Sequence, residues 1–349
     1  MEKKRICVLH AKVPFVYGGA ELLVKGLMDN LALGGFEAEL IQLPYKWETE
    51  NDLYDNLLMW RLLDLNESNG RKIDLVIGTK FPSYGVRHDN KVVWLVHQYR
   101  QAYDLFDTPV GLKNTPGGSK IQQKIKQFDN LTLNEAKSIY TISGNVSSRL
   151  LSNNNLQSKP LYSPPSLVGR YFCGEYQDYL LSVGRLDPLK RNDLLIAALP
   201  FCPKNIRAKI AGRGPEMQAL QELAEELGVS DRVDFLGFVA DKDLLELYAN
   251  AMAVFYAPVD EDYGYITLEA FLSKKPVITC DDSGGVLEFV RSGENGLVSS
   301  SNAKKIAAGI TRIASDKNLC RSFGSEGYES VKDISWKNVV DTLTASIRQ

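Results

Sequence analysis

The chain has 349 residues, of which 44% are hydrophobic and 24% charged, and its net charge is −2. This length predicts two domains, and the balanced charge argues against a nucleic-acid partner. Five scattered cysteines and three histidines argue against a disulfide framework and a histidine-rich metal centre. The start MEKKRICVLH has no signal-peptide pattern and no run approaches about 20 apolar residues, so the predicted location is the cytoplasm.

The first half of the chain alternates short apolar runs with segments of helical periodicity. Strands are predicted over 5–11, 36–44, 73–79, 91–98 and 138–143. Helices are predicted over 20–33, 52–68 and 145–153. The segment 100–127 is predicted to be a long loop between strands. Its lysines could also meet an anionic membrane surface, or the loop could simply be solvated.

The segment YSPPS at 162–166 interrupts regular structure, and the same alternation then restarts. Strands are predicted over 179–186, 207–214, 232–239, 252–258, 275–280 and 296–300. Helices are predicted over 192–199, 216–228, 241–251 and 265–275. Continuous apolar strands alternating with helices indicate two doubly wound parallel sheets, with ligands in a cleft at the carboxyl ends of the strands.

The segment EDYGYITLEAF at 261–271 places Gly264 at the start of an apolar helix, with Glu261 before it and Glu269 within it. Amide groups at a helix start favour an anion such as phosphate. A buried carboxylate needs hydrogen-bond donors, which sugar hydroxyls supply. Taken alone, the same spacing is also typical of surface glutamates on an exposed helix.

Four further segments have chemistry that suits a diphosphate or a sugar. VGRLDPLKR places Arg185 and Lys190 after a strand, where two cations could neutralise a diphosphate or simply be solvated. YGGAE places Gly18 and Gly19 before a helix, and His97 lies where a strand meets a loop. AGRGPE at 211–216 is a Gly-rich turn, equally consistent with a plain strand–helix connection. The acidic groups at 260–262 and 281–282 could alternatively hold a divalent ion.

The order of the motifs is more specific than any one of them. GRLDPLKRNDLL, AGRGPE, VDFLGFV, EDYGYITLEAF, SGGVLEFV, GENGLV and ISWKNVV follow one another, and together they closely resemble the retaining nucleotide-sugar glycosyltransferases of GT-B-fold family 4. The resemblance is strongest from Tyr179 to Trp336. It implies an α/β GT-B fold of two facing Rossmann-like domains with an interdomain cleft. The acceptor-side domain would comprise 1–165 joined by the terminal helix 335–349, and the donor-side domain 166–334.

The resemblance also implies roles for individual residues. Glu261 would hold hydroxyls of the donor sugar, and Glu269 the ribose. Arg185 and Lys190 would bridge the diphosphate, and His97 would lie near the sugar. The remaining donor contacts implied are the amides around Gly264, Tyr265 and Ile266 for the phosphates, Gly237 and Phe238 for the base, and Gly18 and Gly19 from the other domain.

The implied activity is transfer of a hexose from a UDP- or GDP-sugar to a saccharide or lipid-linked acceptor, with retention and without a metal or other cofactor. The product would be a surface polysaccharide or glycolipid, made in the cytoplasm with possible peripheral contact at the inner membrane face. Two departures from the family pattern are Arg191, where glycine is usual, and Gln98-Tyr99 after His97. Arg191 is predicted to contact phosphate or point to solvent. The alternatives are a nucleotide-sugar epimerase and a non-catalytic nucleotide-sugar-binding subunit.

Overall fold

The structure is a computed structural model that describes residues 2–348. The chain divides into two compact units, which are described separately below. One unit runs up to Ser166 and includes the residues from Ile334 onward, and the other is Leu167–Asp333. The first boundary therefore falls at the end of the YSPPS segment, where two prolines stop regular structure.

The first unit is built on a six-stranded sheet. Its strands are β1 Arg5–Lys12, β2 Glu37–Pro44, β5 Leu75–Gly78, β6 Lys91–Leu95, β7 Ser138–Thr141 and β8 Lys159–Pro160, with β3 Glu67–Ser68 and β4 Arg71–Lys72 forming a separate antiparallel pair. The sheet order is β2-β1-β5-β6-β7-β8, and every pairing in it is parallel. Its helices are α1 Gly19–Leu33, α2 Glu50–Leu62, α3 Pro116–Asn134 and α4 Gly144–Asn154.

The second unit repeats this architecture with a different set of strands. They are β9 Tyr179–Val183, β10 Arg207–Ala211, β11 Val233–Gly237, β12 Ala253–Phe255, β13 Val277–Cys280 and β14 Gly296–Ser299, in the order β11-β10-β9-β12-β13-β14. These pairings are also all parallel. The helices are α5 Asn192–Ala198, α6 Met217–Glu226, α7 Asp241–Asn250, α8 Tyr265–Leu272, α9 Ala303–Ser315 and α10 Lys317–Val331.

A last helix, α11 Trp336–Leu343, belongs to the first unit. Its Trp336 ring packs edge-on against Trp94 of β6, with 6.2 Å between ring centroids. The same ring lies over Gly26 of α1, where an added Cβ would come within 2.2 Å of Trp336 Cζ2. Gly26 therefore leaves the space that this indole fills.

Each sheet reverses its strand order at one point. In the first unit, the chain passes from β1 to β2 on one side and then returns to β5 on the other side of β1. In the second unit, β9 is followed by β10 and β11 on one side and by β12 on the other. Ligands of open α/β sheets bind beyond the carboxyl ends of the strands at such switch points. The loops after β1 and β5, and those after β9 and β12, are thus the places to look for a site.

The predicted α/β class with two parallel sheets is confirmed. Strands β5 and β13 lie inside their sheets and are buried at every position, because both sheet faces are covered there. The prediction of a loop over 100–127 was wrong from residue 116 onward, since α3 begins at Pro116 with Thr115 as its N-cap. The helix predicted over 52–68 ends at Leu62, and Glu67–Ser68 at the end of the predicted range form the first strand of the β3–β4 hairpin.

No helix among residues 2–348 is both long enough and apolar enough to cross a membrane.

Candidate active site

A lysine, a glutamate and a tyrosine meet at the switch point of the second sheet. Lys190, in the loop after β9, forms an ion pair with Glu261, in the loop after β12. Tyr256, which directly follows β12, donates its hydroxyl to Glu261 Oε2 at 2.9 Å and lies 3.4 Å from Lys190 Nζ. Because β9 and β12 are neighbouring parallel strands, their carboxyl ends bring these three residues together. The structure thus joins two of the predicted catalytic residues in one cluster.

Helix α8 begins beside this cluster, and a glycine sets its start. Gly264 precedes Tyr265, the first residue of the helix, and has a φ of +84°. An added Cβ there would lie 3.0 Å from Val286 Cγ2 and 3.2 Å from the Tyr256 ring, so both backbone conformation and space require glycine. The first amides of a helix lack intrahelical partners and carry the positive end of its dipole. The position suits the phosphate contact predicted for Gly264, Tyr265 and Ile266.

The loop that carries Glu261 is held by the Gly-Gly turn of SGGVLE. Glu261 forms an isolated parallel bridge with Gly284, and the Gly285 amide donates to the Glu261 carbonyl at 2.8 Å. A Cβ at Gly285 would lie 2.6 Å from the Asp262 carbonyl oxygen, so glycine allows this close approach. This turn therefore has a structural role in holding the loop of Glu261.

Arg185 and Arg191 behave differently from each other. Arg185 is 68% exposed and pairs with Asp187, two residues along the same loop, rather than with Glu261. Both terminal nitrogens of Arg191 donate hydrogen bonds to the Asp282 carboxylate, at 2.8 and 2.6 Å. The guanidinium also donates to the carbonyl oxygens of Ala257 and Pro258. The predicted exposure of Arg191 to solvent is therefore wrong, since Arg191 ties the loops after β12 and β13 together. Its phosphate contact stays a prediction.

Glu269 lies on α8 and is held by a tyrosine. The Tyr248 hydroxyl of α7 donates to Glu269 Oε2 at 2.6 Å. Burial raises the pKa of Glu269, and the hydrogen bond from Tyr248 opposes that rise. A ribose contact at Glu269 would therefore share the carboxylate with this tyrosine, a partner on another helix that the sequence did not reveal.

The glycines of AGRGPE are explained by packing between loops. A Cβ at Gly212 would lie 1.7 Å from the Gly184 carbonyl oxygen, and one at Gly214 would lie 2.1 Å from that of Leu186. Gly237, at the end of β11, has a φ of +64°, and its neighbour Phe238 is 75% exposed. The two residues predicted to meet the base thus lie at the carboxyl end of β11, with the Phe238 ring open to solvent.

In the first unit, the switch point carries a charged cluster around Glu21 that the sequence interpretation missed. Glu21 Oε1 lies 3.4 Å from His10 Nε2, 3.6 Å from Lys80 Nζ and 3.9 Å from Lys12 Nζ. Although burial alone would raise the pKa of Glu21, the hydrogen bond with His10 and the charge of Lys80 lower it to about 2. The available signal was positional, because Lys12 is the last residue of β1, Lys80 closely follows β5, and these two strands pair with each other.

Gly18 and Gly19 lie directly beside this cluster. Gly18 is the N-cap of α1, and its amide donates to Glu21 Oε2 at 2.9 Å. Its φ of −158° is extended, and an added Cβ would meet nothing closer than Glu21 at 3.7 Å. Gly18 is thus required neither by backbone conformation nor by packing, which is consistent with space kept for a ligand.

His97 follows β6, and its Nδ1 donates to the Gln98 carbonyl oxygen at 2.7 Å. The Gln98 side chain points elsewhere, and donates to Asp129 Oδ2 at 3.0 Å and to Asn154 Oδ1 at 2.9 Å. Asp129 is fully buried and also accepts from the hydroxyls of Tyr84 and Tyr103. The departure from the family pattern at Gln98 therefore anchors the loop that carries His97 to α3.

Asp129 should make stability depend on pH in a recognisable way. Burial raises its pKa to about 6, while hydrogen bonds from its partners oppose the rise. Between pH about 4 and 6 the folded state then binds more protons than the unfolded state, so this residue makes stability fall as pH rises. The measurement is the free energy of unfolding in urea at a series of pH values. Asp129→Asn should reduce its pH dependence between about pH 4 and 6 by an amount that corresponds to at most one bound proton. An identical pH slope in both proteins would contradict the assignment.

Two acidic residues considered as ligands for a divalent ion have cationic partners, since Asp282 pairs with Arg191 and Glu261 with Lys190. Across residues 2–348 there is no group of three or more His, Cys, Asp or Glu side chains arranged to hold a metal ion. Metal independence stays a prediction.

Comparisons with known proteins agree with this architecture. Residues 173–330 match the family model of glycosyl transferases group 1. The chain is 27% identical to an uncharacterized glycosyltransferase of Methanocaldococcus jannaschii, over 93% of each chain. It is 31% identical to a GDP-mannose-dependent alpha-(1-6)-phosphatidylinositol monomannoside mannosyltransferase of Mycobacterium tuberculosis, over 51% of this chain and only 48% of that relative.

Among solved structures, the Anabaena protein HepE in complex with UDP and glucose aligns with a TM-score of 0.72 at 17% identity, covering 99% of both chains. At this identity the likeness shows the fold alone. Residues 173–330 therefore belong to the glycosyl transferases group 1 family, within a chain that has the two-domain α/β fold of the GT-B glycosyltransferases.

Proposed function

We propose that the chain transfers a hexose-type sugar from a UDP- or GDP-sugar to a saccharide or lipid-linked acceptor, with retention of anomeric configuration. The setting proposed is the synthesis of a surface polysaccharide or glycolipid. A relative named as GDP-mannose-dependent and a structural neighbour solved with UDP and glucose support a nucleotide-sugar donor. They favour different nucleotides, so the choice between UDP and GDP is left to experiment.

The observation that carries the proposal is the Lys190–Glu261–Tyr256 cluster beside the start of α8. A cation next to a helix N-terminus suits the diphosphate of a nucleotide sugar, and a carboxylate next to both suits the hydroxyls of the attached sugar. These groups lie at the switch point of the sheet, where α/β proteins bind their ligands.

The donor would then lie along the carboxyl edge of the second sheet. Glu261 would accept from sugar hydroxyls, Lys190 and Arg185 would contact the diphosphate, and Glu269 would accept from the ribose. Arg185 is mostly exposed and pairs only within its own loop, so its side chain can turn to a phosphate at little cost. Further donor contacts are proposed for Gly18, Gly19, Gly237, Phe238, Gly264, Tyr265 and Ile266, with His97 near the sugar.

Catalysis in this proposal is mainly electrostatic. As the bond to the diphosphate breaks, positive charge develops at the anomeric carbon and negative charge on the leaving phosphate. A lysine and helix-start amides that are already oriented stabilise the leaving group without having to reorganise during the reaction. Retention would follow from attack on the same face of the sugar that the diphosphate leaves, with no resident metal in the proposed scheme.

The test is a thermal-shift screen of the full chain with UDP, GDP, UDP-sugars and GDP-sugars. A nucleotide that binds the folded state stabilises it by about 2.7 kcal/mol at a hundred times its Kd, so the correct one should raise the Tm clearly. The sugar donor found this way should release free nucleotide in the presence of a suitable acceptor. Conversion of the sugar without nucleotide release would favour an epimerase, and binding without turnover a non-catalytic subunit.

A further inference from the structure

A buried tyrosine hydroxyl in the second unit has no hydrogen-bond partner among residues 2–348. It belongs to Tyr171, in the segment that leads into β9. Burial and the charge of Glu269 raise the pKa of Tyr171, so the hydroxyl lies close to the carboxylate that is proposed to hold the ribose. Because an unpaired buried hydroxyl is unfavourable, its place beside a proposed ligand contact is consistent with a hydrogen bond that forms only when the ligand binds.

The segment 170–177, named the strap here, fixes this tyrosine along α7. At the start of the helix, Arg170 Nη1 lies 3.9 Å from Asp241 Oδ2. Near its end, the Gly174 amide donates to the Ala249 carbonyl oxygen at 2.8 Å. An added Cβ at Gly174 would lie 3.1 Å from the same oxygen, so glycine permits this close packing. The strap therefore runs beside the helix from its first turn to its last, and the tyrosine lies between the two contacts.

Two tyrosines converge on one carboxylate at this place. Tyr248 of α7 is fully buried and donates to Glu269 Oε2 at 2.6 Å. The ring of Tyr171 packs edge-on against that of Tyr248, with 6.1 Å between the centroids and 82° between the ring planes. Burial raises the pKa of Glu269, and both tyrosines oppose that rise, so both favour the ionised carboxylate.

The Glu269 carboxylate keeps acceptor capacity for a ligand. An ionised carboxylate has about four acceptor sites on its two oxygens, and Tyr248 takes one of them, on Oε2. Glu269 retains some exposed surface, whereas Tyr248 has none. As the fifth residue of α8, Glu269 lies about one turn from the helix start, where a phosphate is proposed to bind. A ribose phosphate has a matching layout, with two adjacent hydroxyls a short distance from the phosphate.

We propose that Tyr171 and Tyr248 are positioning residues, which direct Glu269 toward the 2′- and 3′-hydroxyls of a ribonucleoside diphosphate. The inference rests on the proposed function and names the part of the nucleotide that is selected. Tyr248 fixes Oε2, so that Oε1 is left for the ribose. Tyr171 completes its own hydrogen bond to the carboxylate once the nucleotide draws Glu269 into place. A nucleotide without these hydroxyls would leave the aligned carboxylate unpaired, and the site would therefore select strongly against it.

The experiment is calorimetric titration of the full chain with UDP and GDP and with their 2′,3′-dideoxy analogues. The nucleotide that binds should bind at least about tenfold more tightly than its dideoxy analogue, because the analogue lacks both hydroxyls that donate to the charged carboxylate. Tyr248→Phe should lose most of that ratio, through weaker binding of the ribonucleotide and nearly unchanged binding of the analogue. Tyr171→Phe should lower the ratio in the same direction, by a smaller factor.

The matched control is Tyr179→Phe, which removes another tyrosine hydroxyl that fixes α7, through the Leu247 carbonyl at 2.7 Å. It should keep the parent ratio. In a Glu269→Gln background, Tyr248→Phe should have no further effect on the ratio, since the tyrosine acts through the carboxylate. With a sugar donor, Tyr171→Phe and Tyr248→Phe should raise KM and leave kcat near the parent value, because the ribose contact is the same in the ground state and the transition state.

Three results would overturn the inference: equal affinity of the parent protein for the ribonucleotide and its analogue, an equal loss of affinity for both in Tyr248→Phe, or the same change of ratio in Tyr179→Phe. Urea unfolding midpoints establish that each variant is folded, and Tyr171→Phe provides the test if Tyr248→Phe does not fold. Nucleotide binding without a preference for the ribose hydroxyls would refute this inference alone. Absence of any nucleotide binding would refute the proposed function as well.

Discussion

Replacement of Lys190 by alanine is expected to lower the rate of nucleotide release from the donor by at least about tenfold. Lys190 is the cation that the structure places against both Glu261 and Tyr256. A hydrogen bond to a charged group contributes about 1.5–3 kcal/mol, which corresponds to roughly a 10- to 150-fold change in rate if it acts on the transition state. The assay is nucleotide release with the donor that gives the largest thermal shift.

The matched control is Lys204→Ala, since Lys204 is an exposed lysine in the loop before β10. It should turn over at the parent rate. Glu261→Gln preserves the size of the side chain but removes its charge. This variant should also release nucleotide at least about tenfold more slowly than the parent protein. Parent-like turnover in both Lys190→Ala and Glu261→Gln would refute the assigned site. If the loss appears only as a raised KM, Lys190 binds the donor without stabilising the leaving group.

Replacement of Gly264 by alanine is expected to lower both stability and nucleotide binding. At a φ of +84° an alanine costs about 1–2 kcal/mol from backbone conformation alone. The new Cβ would also press on Val286 and Tyr256, at 3.0 and 3.2 Å, and Tyr256 is bonded to Glu261. The unfolding midpoint in urea should fall, and the Tm shift produced by the nucleotide should largely disappear.

Gly228 provides a control that separates conformation from contact. It has a φ of +64°, and an added Cβ there would meet nothing within 4 Å. Gly228→Ala should therefore lose about 1–2 kcal/mol of stability and still bind the nucleotide as the parent does. Equal nucleotide shifts in the two variants would show that the start of α8 is not a donor contact.

The sheets were predictable from sequence because their strands are short apolar runs bounded by turns. The run KPVITC, for example, contains β13, in which Val277–Cys280 are all buried. Helix α3 was missed because its first residues, PGGSK, are typical of a loop and its polar face is rich in lysine and glutamine. A usable signal was present, since threonine followed by proline is a common way to begin a helix.

Candidate site residues could be singled out from the sequence where they are close together in the chain, whereas contacts between distant segments could not. Glu261, Gly264 and Glu269 lie within one motif, and Lys190 within another. By contrast, Arg191 meets Asp282 across a gap of 91 positions, and no local pattern indicates that pairing. Glu21 and Lys80 likewise meet only because β1 and β5 are neighbours in the sheet. Strand order, which hydrophobic periodicity does not specify, determines those contacts.

The packing of Trp336 on Gly26 affects the order in which the two units can fold during synthesis on the ribosome. The strands and helices up to Ser166 emerge first, yet the indole that fills the space over Gly26 and Trp94 is translated only after the whole of Leu167–Asp333. Domains usually fold in the order in which they are made. Here the nascent amino-terminal unit cannot complete its packing until α11 is translated, and the apolar surface around Gly26 and Trp94 stays uncovered until then. The unit Leu167–Asp333 can complete its own core before that point.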